Sequence, residues 1–113
     1  VCSTPFCLFG HTHVPSVYEY DRVTGCVRQA FTRATNRTVV SWDERPESLR
    51  FLFNTGSVGQ PRDGDPRASF GIIDTEAKQL SISRVPYDVA TAQQKIRRAG
   101  LPEVLAERLA IGR

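Results

Sequence analysis

The sequence predicts an α/β fold in which a series of β-strands is followed by two C-terminal helices. Short runs of alternating apolar and polar residues fill most of the chain, and turn-forming residues separate them. A helical period begins only near the C-terminus. Strands first and helices last are typical of a layered sandwich.

Seven segments have the composition of strands. Two of them flank a turn that ends in Gly25, a residue suited to positive φ, and we expect these two to form a hairpin. The predicted strands are residues 6–9, 17–20, 26–31, 38–42, 49–53, 69–74 and 79–85.

The alternation also predicts which strand faces are buried. Phe51 and Phe53 share one face of their strand, and Leu80 and Ile82 share one face of theirs. The apolar run at residues 6–9 predicts a short buried strand. After the last strand, Asp88 is a candidate N-cap for a first helix that Gly100 ends, and Pro102 opens a second helix.

Composition excludes several classes of protein. A chain of 113 residues is one domain or less, and 40% hydrophobic with 24% charged residues is an ordinary globular composition. No apolar run reaches the roughly 18 residues of a membrane helix. The net charge of +3 comes from scattered arginines, which is typical of a solvated surface rather than a nucleic-acid interface. Three cysteines without framework spacing indicate reduced thiols and a cytoplasmic location.

Both histidines of the chain lie in one short motif, Gly10-His11-Thr12-His13, directly after the first apolar run. Gly10 allows the backbone to turn sharply, and the two imidazoles would lie at a sheet edge where ligand sites of α/β folds gather. Imidazole nitrogens suit Mn, Fe and Zn. The simplest alternative is two polar side chains in a surface turn.

The motif resembles Gly-His-x-His, the last metal-binding block of the calcineurin-like metallophosphoesterases. The stretch from Asn54 to Arg67 resembles the Asn-x-Gly-Ser-x-Gly-Gln-Pro-Arg loop of the bacterial branch of that family, and the spacing between the two matches. The resemblance covers nearly the whole chain. It implies the closing half of a four-layer α/β/β/α sandwich.

The family builds its two-metal site from five sequence blocks, and only the last of them is found here. Residues 1–113 therefore look like the C-terminal part of a single metallophosphoesterase domain whose N-terminal metal-binding half is absent. We expect the partner of this chain to be that N-terminal half, or a second copy that pairs with its exposed sheet.

The resemblance implies a metal-dependent phosphoester hydrolase, either a phosphomonoesterase or a phosphodiesterase. His11 and His13 would each bind a different one of two divalent metal ions, Mn, Fe or Zn. Four loop residues would lie on the substrate side of the cleft: Asn54, Gly56, Ser57 and Arg62. Because two ligands do not make a tight site, we expect the chain alone to bind metal weakly and to hydrolyse nothing.

Two other classes of protein remain open at this level. Cys2, Cys7, His11 and His13 supply four ligands of the types found in a small zinc-binding module, although the single residue between the histidines is fewer than the usual three to five. The other alternative is a non-catalytic, β-rich interaction domain in which both histidines are surface residues.

Overall fold

The computed structural model describes residues 3–32 and 36–113, apart from the side chains of residues 31 and 32. Across these residues seven strands precede two helices, which confirms the predicted fold class. The elements are β1 (Phe6–Leu8), β2 (Ser16–Asp21), β3 (Val27–Thr32), β4 (Arg37–Ser41), β5 (Leu49–Asn54), β6 (Ala68–Asp74), β7 (Gln79–Val85), α1 (Val89–Arg98) and α2 (Glu103–Ile111).

The first sheet has the strand order β1-β5-β2-β3. β2 and β3 form the predicted antiparallel hairpin, and Gly25 in its turn has φ +72°. β5 is parallel to β1 and antiparallel to β2. Because β1 and β5 run in the same direction, the histidine motif after β1 and the glycine-rich loop after β5 emerge at the same edge of the sheet.

The second sheet has the strand order β4-β7-β6, and both of its pairs are antiparallel. A tight turn joins β6 to β7, and in it the Asp74 carboxylate accepts hydrogen bonds from the backbone N–H groups of Glu76 and Ala77. β7 is the central strand, so it has buried residues on both faces, Ile82 on one and Ser81 on the other.

The hydrophobic core lies between the two sheets. It joins Val17, Phe51 and Phe53 of the first sheet to Leu80 and Ile82 of the second, and each of the five is at most 1% exposed. The inward faces predicted for β5 and β7 are therefore confirmed. Four further apolar residues pack against this cluster: Phe6, Val40, Trp42 and Ile73.

The prediction that the first strand is buried is wrong. β1 exists, but Cys7 is exposed, Leu8 is 50% exposed and Phe9 is 37% exposed. The reason is the position of β1, which forms one edge of its sheet and, among the described residues, has β5 as its only neighbouring strand. An apolar run alone cannot distinguish a buried central strand from an exposed edge strand.

The two helices form a hairpin in which α1 and α2 pack against each other. Asp88 is the N-cap of α1, as predicted, because its carboxylate accepts a hydrogen bond of 2.9 Å from the Thr91 N–H. Ala106 and Leu109 are the buried residues of α2. Neither helix in the described part of the chain has the length and apolarity needed to cross a membrane.

Candidate functional site

His11 lies at the centre of a tight turn that follows β1. Its φ is +77°, and the Thr12 N–H donates a hydrogen bond of 3.0 Å to the Gly10 carbonyl. A three-residue hydrogen-bonded turn with positive central φ is a γ-turn, which is rare and strained. The backbone therefore holds this exposed side chain in an orientation that an ordinary strand would not give it.

His13 is held by a second strained backbone position and by a hydrogen bond to its ring. Its φ is +60°, the side chain is half-buried, and Nδ1 lies 2.8 Å from the carbonyl oxygen of Gln60. A carbonyl oxygen can only accept, so Nδ1 is the donor, and in the neutral imidazole this tautomer leaves the lone pair on Nε2. Metal-binding histidines almost always fix their second nitrogen in this way.

His11 and His13, which are separated by one residue, both have strained backbone conformations. Each left-handed, non-glycine residue costs about 1–3 kcal/mol, and such residues cluster at active sites and ligand clamps. The surrounding structure has to supply contacts that hold His11 and His13 in place.

Asn54, the last residue of β5, is one source of those contacts. Its Nδ2 donates to the Gly10 carbonyl at 3.2 Å and to Thr12 Oγ1 at 2.8 Å, while its Oδ1 accepts from the Gly56 N–H at 2.9 Å. Asn54 has no exposed surface. The amide of this buried side chain fastens the histidine turn to the loop, and the placement of Asn54 on the substrate side of the cleft stays a prediction.

Gly56 and Ser57 shape the start of the loop. Gly56 has φ +84°, and a Cβ at this position would lie 2.7 Å from the Ser69 side chain, so a larger residue would disturb the contact. Ser57 Oγ accepts a hydrogen bond of 2.9 Å from the Gln60 N–H. The Ser57 oxygen therefore orients Gln60, and the prediction that its hydroxyl lies on the substrate side and donates there stays a prediction.

Arg62 is the exposed member of the predicted loop residues. Its backbone N–H donates to the His13 carbonyl at 3.3 Å, and its guanidinium donates to Gln60 Oε1 at 2.9 Å. The loop therefore lies directly beside the histidine turn, with a cation at its surface. A guanidinium in such a place is suited to phosphate oxygens.

Further along the loop, Arg67 and Asp65 form a charged pair. Arg67 donates to both carboxylate oxygens of Asp65 at 2.7–3.1 Å. These hydrogen bonds hold the pKa of Asp65 below its usual range, because they favour the ionised carboxylate. Asp65 therefore remains anionic at neutral pH, which preserves the pairing that shapes this part of the loop.

Three residues that contribute to the site were missed by the sequence interpretation. Gln60 contributes a backbone carbonyl, for which side-chain identity gives no signal. Asp63 and Arg84 form a buried ion pair beneath the loop. Arg84 did have a signal, since it lies two residues after Ile82 and thus on the inward face of β7.

The described residues fit part of a metal centre rather than a complete one. His11 and His13 bring two imidazoles to one turn, yet no group of three or more His, Cys, Asp or Glu side chains in residues 3–32 and 36–113 is placed to hold a metal ion. Catalytic metal ions usually have at least three protein ligands. Cys7, His11 and His13 are therefore not gathered as a zinc module requires, and Cys2 lies outside the described residues.

Comparison with known proteins supports the resemblance to metallophosphoesterases, but the matches cover only part of each similar protein. No protein-family model matches the chain. An uncharacterized protein of Methanocaldococcus jannaschii is 49% identical over 67 residues, which are 59% of this chain and 28% of that protein. The crystal structure of a metallophosphoesterase from Sphaerobacter thermophilus is 38% identical with a TM-score of 0.78.

The alignment with the Sphaerobacter thermophilus structure covers 99% of this chain but 44% of that one. The chain thus spans less than half of either protein. The structural likeness confirms the arrangement of two sheets followed by two helices, and over this length the chain is similar in sequence and fold to a metallophosphoesterase.

Proposed function

We propose that this chain is the C-terminal part of a metallophosphoesterase and supplies His11 and His13 to a two-metal centre that hydrolyses phosphoesters. The observation that carries the proposal is the geometry of the histidine turn. Two strained residues present two imidazoles, and the Gln60 carbonyl leaves Nε2 of His13 as the nitrogen able to bind a metal ion. The likeness to a solved metallophosphoesterase supports the class of reaction.

Divalent metal ions at this site, Mn, Fe or Zn, would neutralise phosphate charge and lower the pKa of bound water. The residues of the chain have simpler roles. His11 and His13 would each donate a nitrogen lone pair to a different ion, as the family resemblance implies. Arg62, exposed beside them, would attract the phosphoester and orient it through the donors of its guanidinium.

The remaining ligands would come from an N-terminal part of the same enzyme, which we propose as the partner of this chain. Two features favour a missing partner. The radius of gyration is 16.4 Å, whereas a compact domain of this length has about 13 Å. The edge strand β1 also leaves Leu8 and Phe9 partly exposed, and such an edge invites pairing with another chain, or with a second copy if the partner is missing.

The proposed location is the cytoplasm. The thiols of Cys7 and Cys26 are free and exposed, which suits a reducing compartment.

Metal titration of the isolated chain tests the proposal. With ¹⁵N-labelled histidine, Mn²⁺ should broaden the NMR signals of both imidazoles, and binding should be weak because each ion has few ligands. Mg²⁺ is the control ion, since it prefers oxygen ligands and should leave both signals unchanged. Broadening at neither ring, or tight binding with phosphodiester turnover by this chain alone, would contradict the proposal.

The single variants sharpen this test. His11→Ala should leave Mn²⁺ broadening at His13, and His13→Ala should leave it at His11, because the two imidazoles serve separate ions. If either substitution abolishes broadening at the other ring, the two histidines bind one shared ion instead.

A further inference from the structure

We infer that Arg84, Asp63 and Gly112 are positioning residues for His13, which act through the loop at residues 54–67 rather than on the ring itself. These residues fix the middle of that loop, and the loop carries the carbonyl that orients the imidazole. The significance of the inference rests on the proposed function, because it concerns the orientation of a metal ligand. The contacts themselves are present without any metal.

The guanidinium of Arg84 holds the loop at several residues. Its side chain is fully buried and forms an ion pair with Asp63, whose side chain is 2% exposed. Its Nη1 donates to the Arg67 carbonyl at 3.0 Å, and its Nε lies 3.9 Å from Asp65 Oδ2. Because a buried charge without a partner is costly, these contacts bind the loop to the second sheet.

The end of α2 holds the same segment from another element. The Gly64 N–H donates a hydrogen bond of 3.0 Å to the Gly112 carbonyl. Gly112 has φ +64°, and a Cβ at this position would lie 2.6–2.8 Å from backbone atoms of Asp65. Only glycine allows so close an approach, so the helix hairpin is fitted directly against the loop backbone.

The contacts of Arg84, Asp63 and Gly112 with the loop are called the clamp below. Only a short segment of the loop separates this clamp from the residues that contact His13. The Gln60 carbonyl accepts the Nδ1 hydrogen bond of His13 at 2.8 Å, and the Arg62 N–H donates to the His13 carbonyl at 3.3 Å. Between them, Pro61 is buried and has a fixed φ. We therefore expect a displacement at Asp63 to move Gln60, because Pro61 has little freedom to absorb it.

His11 is held by different contacts. Its γ-turn is fastened by Asn54, which belongs to the first sheet and donates to Gly10 and Thr12. Loosening the clamp should consequently alter His13 and leave His11 unchanged. The two rings provide an internal comparison within one molecule.

The test is ¹⁵N-histidine NMR of the metal-free, 113-residue chain carrying Gly112→Ala. We expect the protected Nδ1 proton of His13 to be lost and its tautomer preference to change, while the signals of His11 stay as they are. Gly25→Ala is the matched control, because Gly25 also has positive φ, at +72°, but an added Cβ there meets no atom within 4 Å. That variant has the same kind of backbone strain and should leave both rings unchanged.

A second variant covers the case in which Gly112→Ala does not fold. Arg84→Met combined with Asp63→Leu removes both charges without leaving one unpaired, and it should release His13 in the same way. A protected Nδ1 proton at His13 in the folded variants, or an equal change at His11, would overturn the inference. If His13 responds to the substitutions but neither ring of the parent chain binds Mn²⁺, the inference stands and the proposed function fails. If both rings bind Mn²⁺ but His13 does not respond to the substitutions, the proposed function stands and the inference fails.

Discussion

The two ends of β5 are held in different ways. At the end that carries Asn54, this side chain is buried and hydrogen-bonded, and the side chains of the ion pair of Arg84 with Asp63 are 0% and 2% exposed. At the end that carries Leu49, an open cleft of about 660 Å³ is lined by aromatic and charged side chains, among them Phe6, Trp42, Arg50 and Lys78.

Exposure decides what the charges at each end contribute. The ion pair of Lys78 with Asp43 is 52% and 54% exposed, so water screens it and competes with it. The pair of Arg84 with Asp63 has no such competition, and losing one partner would leave a buried charge. The end of β5 beside the histidine turn is therefore fixed by buried polar contacts, whereas the end beside the cleft is fixed mainly by the apolar core.

The largest expected effect comes from breaking the buried ion pair. Arg84→Met leaves Asp63 buried and unpaired and should lower the free energy of unfolding by about 3–5 kcal/mol. Lys78→Met removes a cation from the exposed pair at the other end and should cost at most about 1 kcal/mol. Urea unfolding of both variants measures the difference, and equal losses would contradict the comparison.

The next effect concerns Asn54. Asn54→Leu keeps the approximate size of the fully buried side chain but leaves the Gly10 carbonyl and the Gly56 N–H without this partner, and the loss should cost about 1–3 kcal/mol in total. The control is Gln29→Leu, which changes an exposed side chain of the same sheet and should stay within about 0.5 kcal/mol. Thermal unfolding followed by circular dichroism distinguishes the two, and a stable Asn54→Leu would mean that the histidine turn does not depend on this amide.

Catalysis should depend on each histidine separately. In the complete parent enzyme, His11→Ala and His13→Ala should each reduce hydrolysis of a nitrophenyl phosphodiester by at least about 10–100-fold, the loss typical even for residues that only support a metal ligand. The metal-free proteins should keep the melting curve of the parent, because both side chains lie on a turn rather than in the core. Lys78→Met is the control and should keep full activity; near-normal turnover of either histidine variant in saturating metal would place the pair outside the active site.

The smallest expected effects come from backbone strain in two turns, the histidine turn and the β2–β3 turn. His11→Gly relieves a φ of +77° and should raise the free energy of unfolding by about 1 kcal/mol, after the greater flexibility of glycine in the unfolded chain is subtracted. Gly25→Ala adds strain at φ +72° in the β2–β3 turn and should lower it by about the same amount. A destabilised His11→Gly would show that the imidazole stabilises the fold by contacts that outweigh the strain.

The order and type of the elements could be predicted from the sequence because they depend on neighbouring residues. Alternation placed Phe51, Phe53, Leu80 and Ile82 on inward faces, and the cap of α1 follows from Asp88 alone. The histidine motif and the loop could be identified as candidates for the same reason, since each is a continuous stretch. Their proposed roles as metal ligands and substrate contacts stay predictions.

What the tertiary structure decided is which distant residues meet. The parallel pairing of β1 with β5 brings Gly10 and Asn54 together across 44 positions of sequence, and no local pattern specifies that pairing. Packing also made Asn54 a buried support of the histidine turn, and it left β1 at an exposed edge of its sheet. Hydrogen bonds to Gln60 and the ion pair of Arg84 depend on backbone positions set by packing, which is why residue types alone could not predict them.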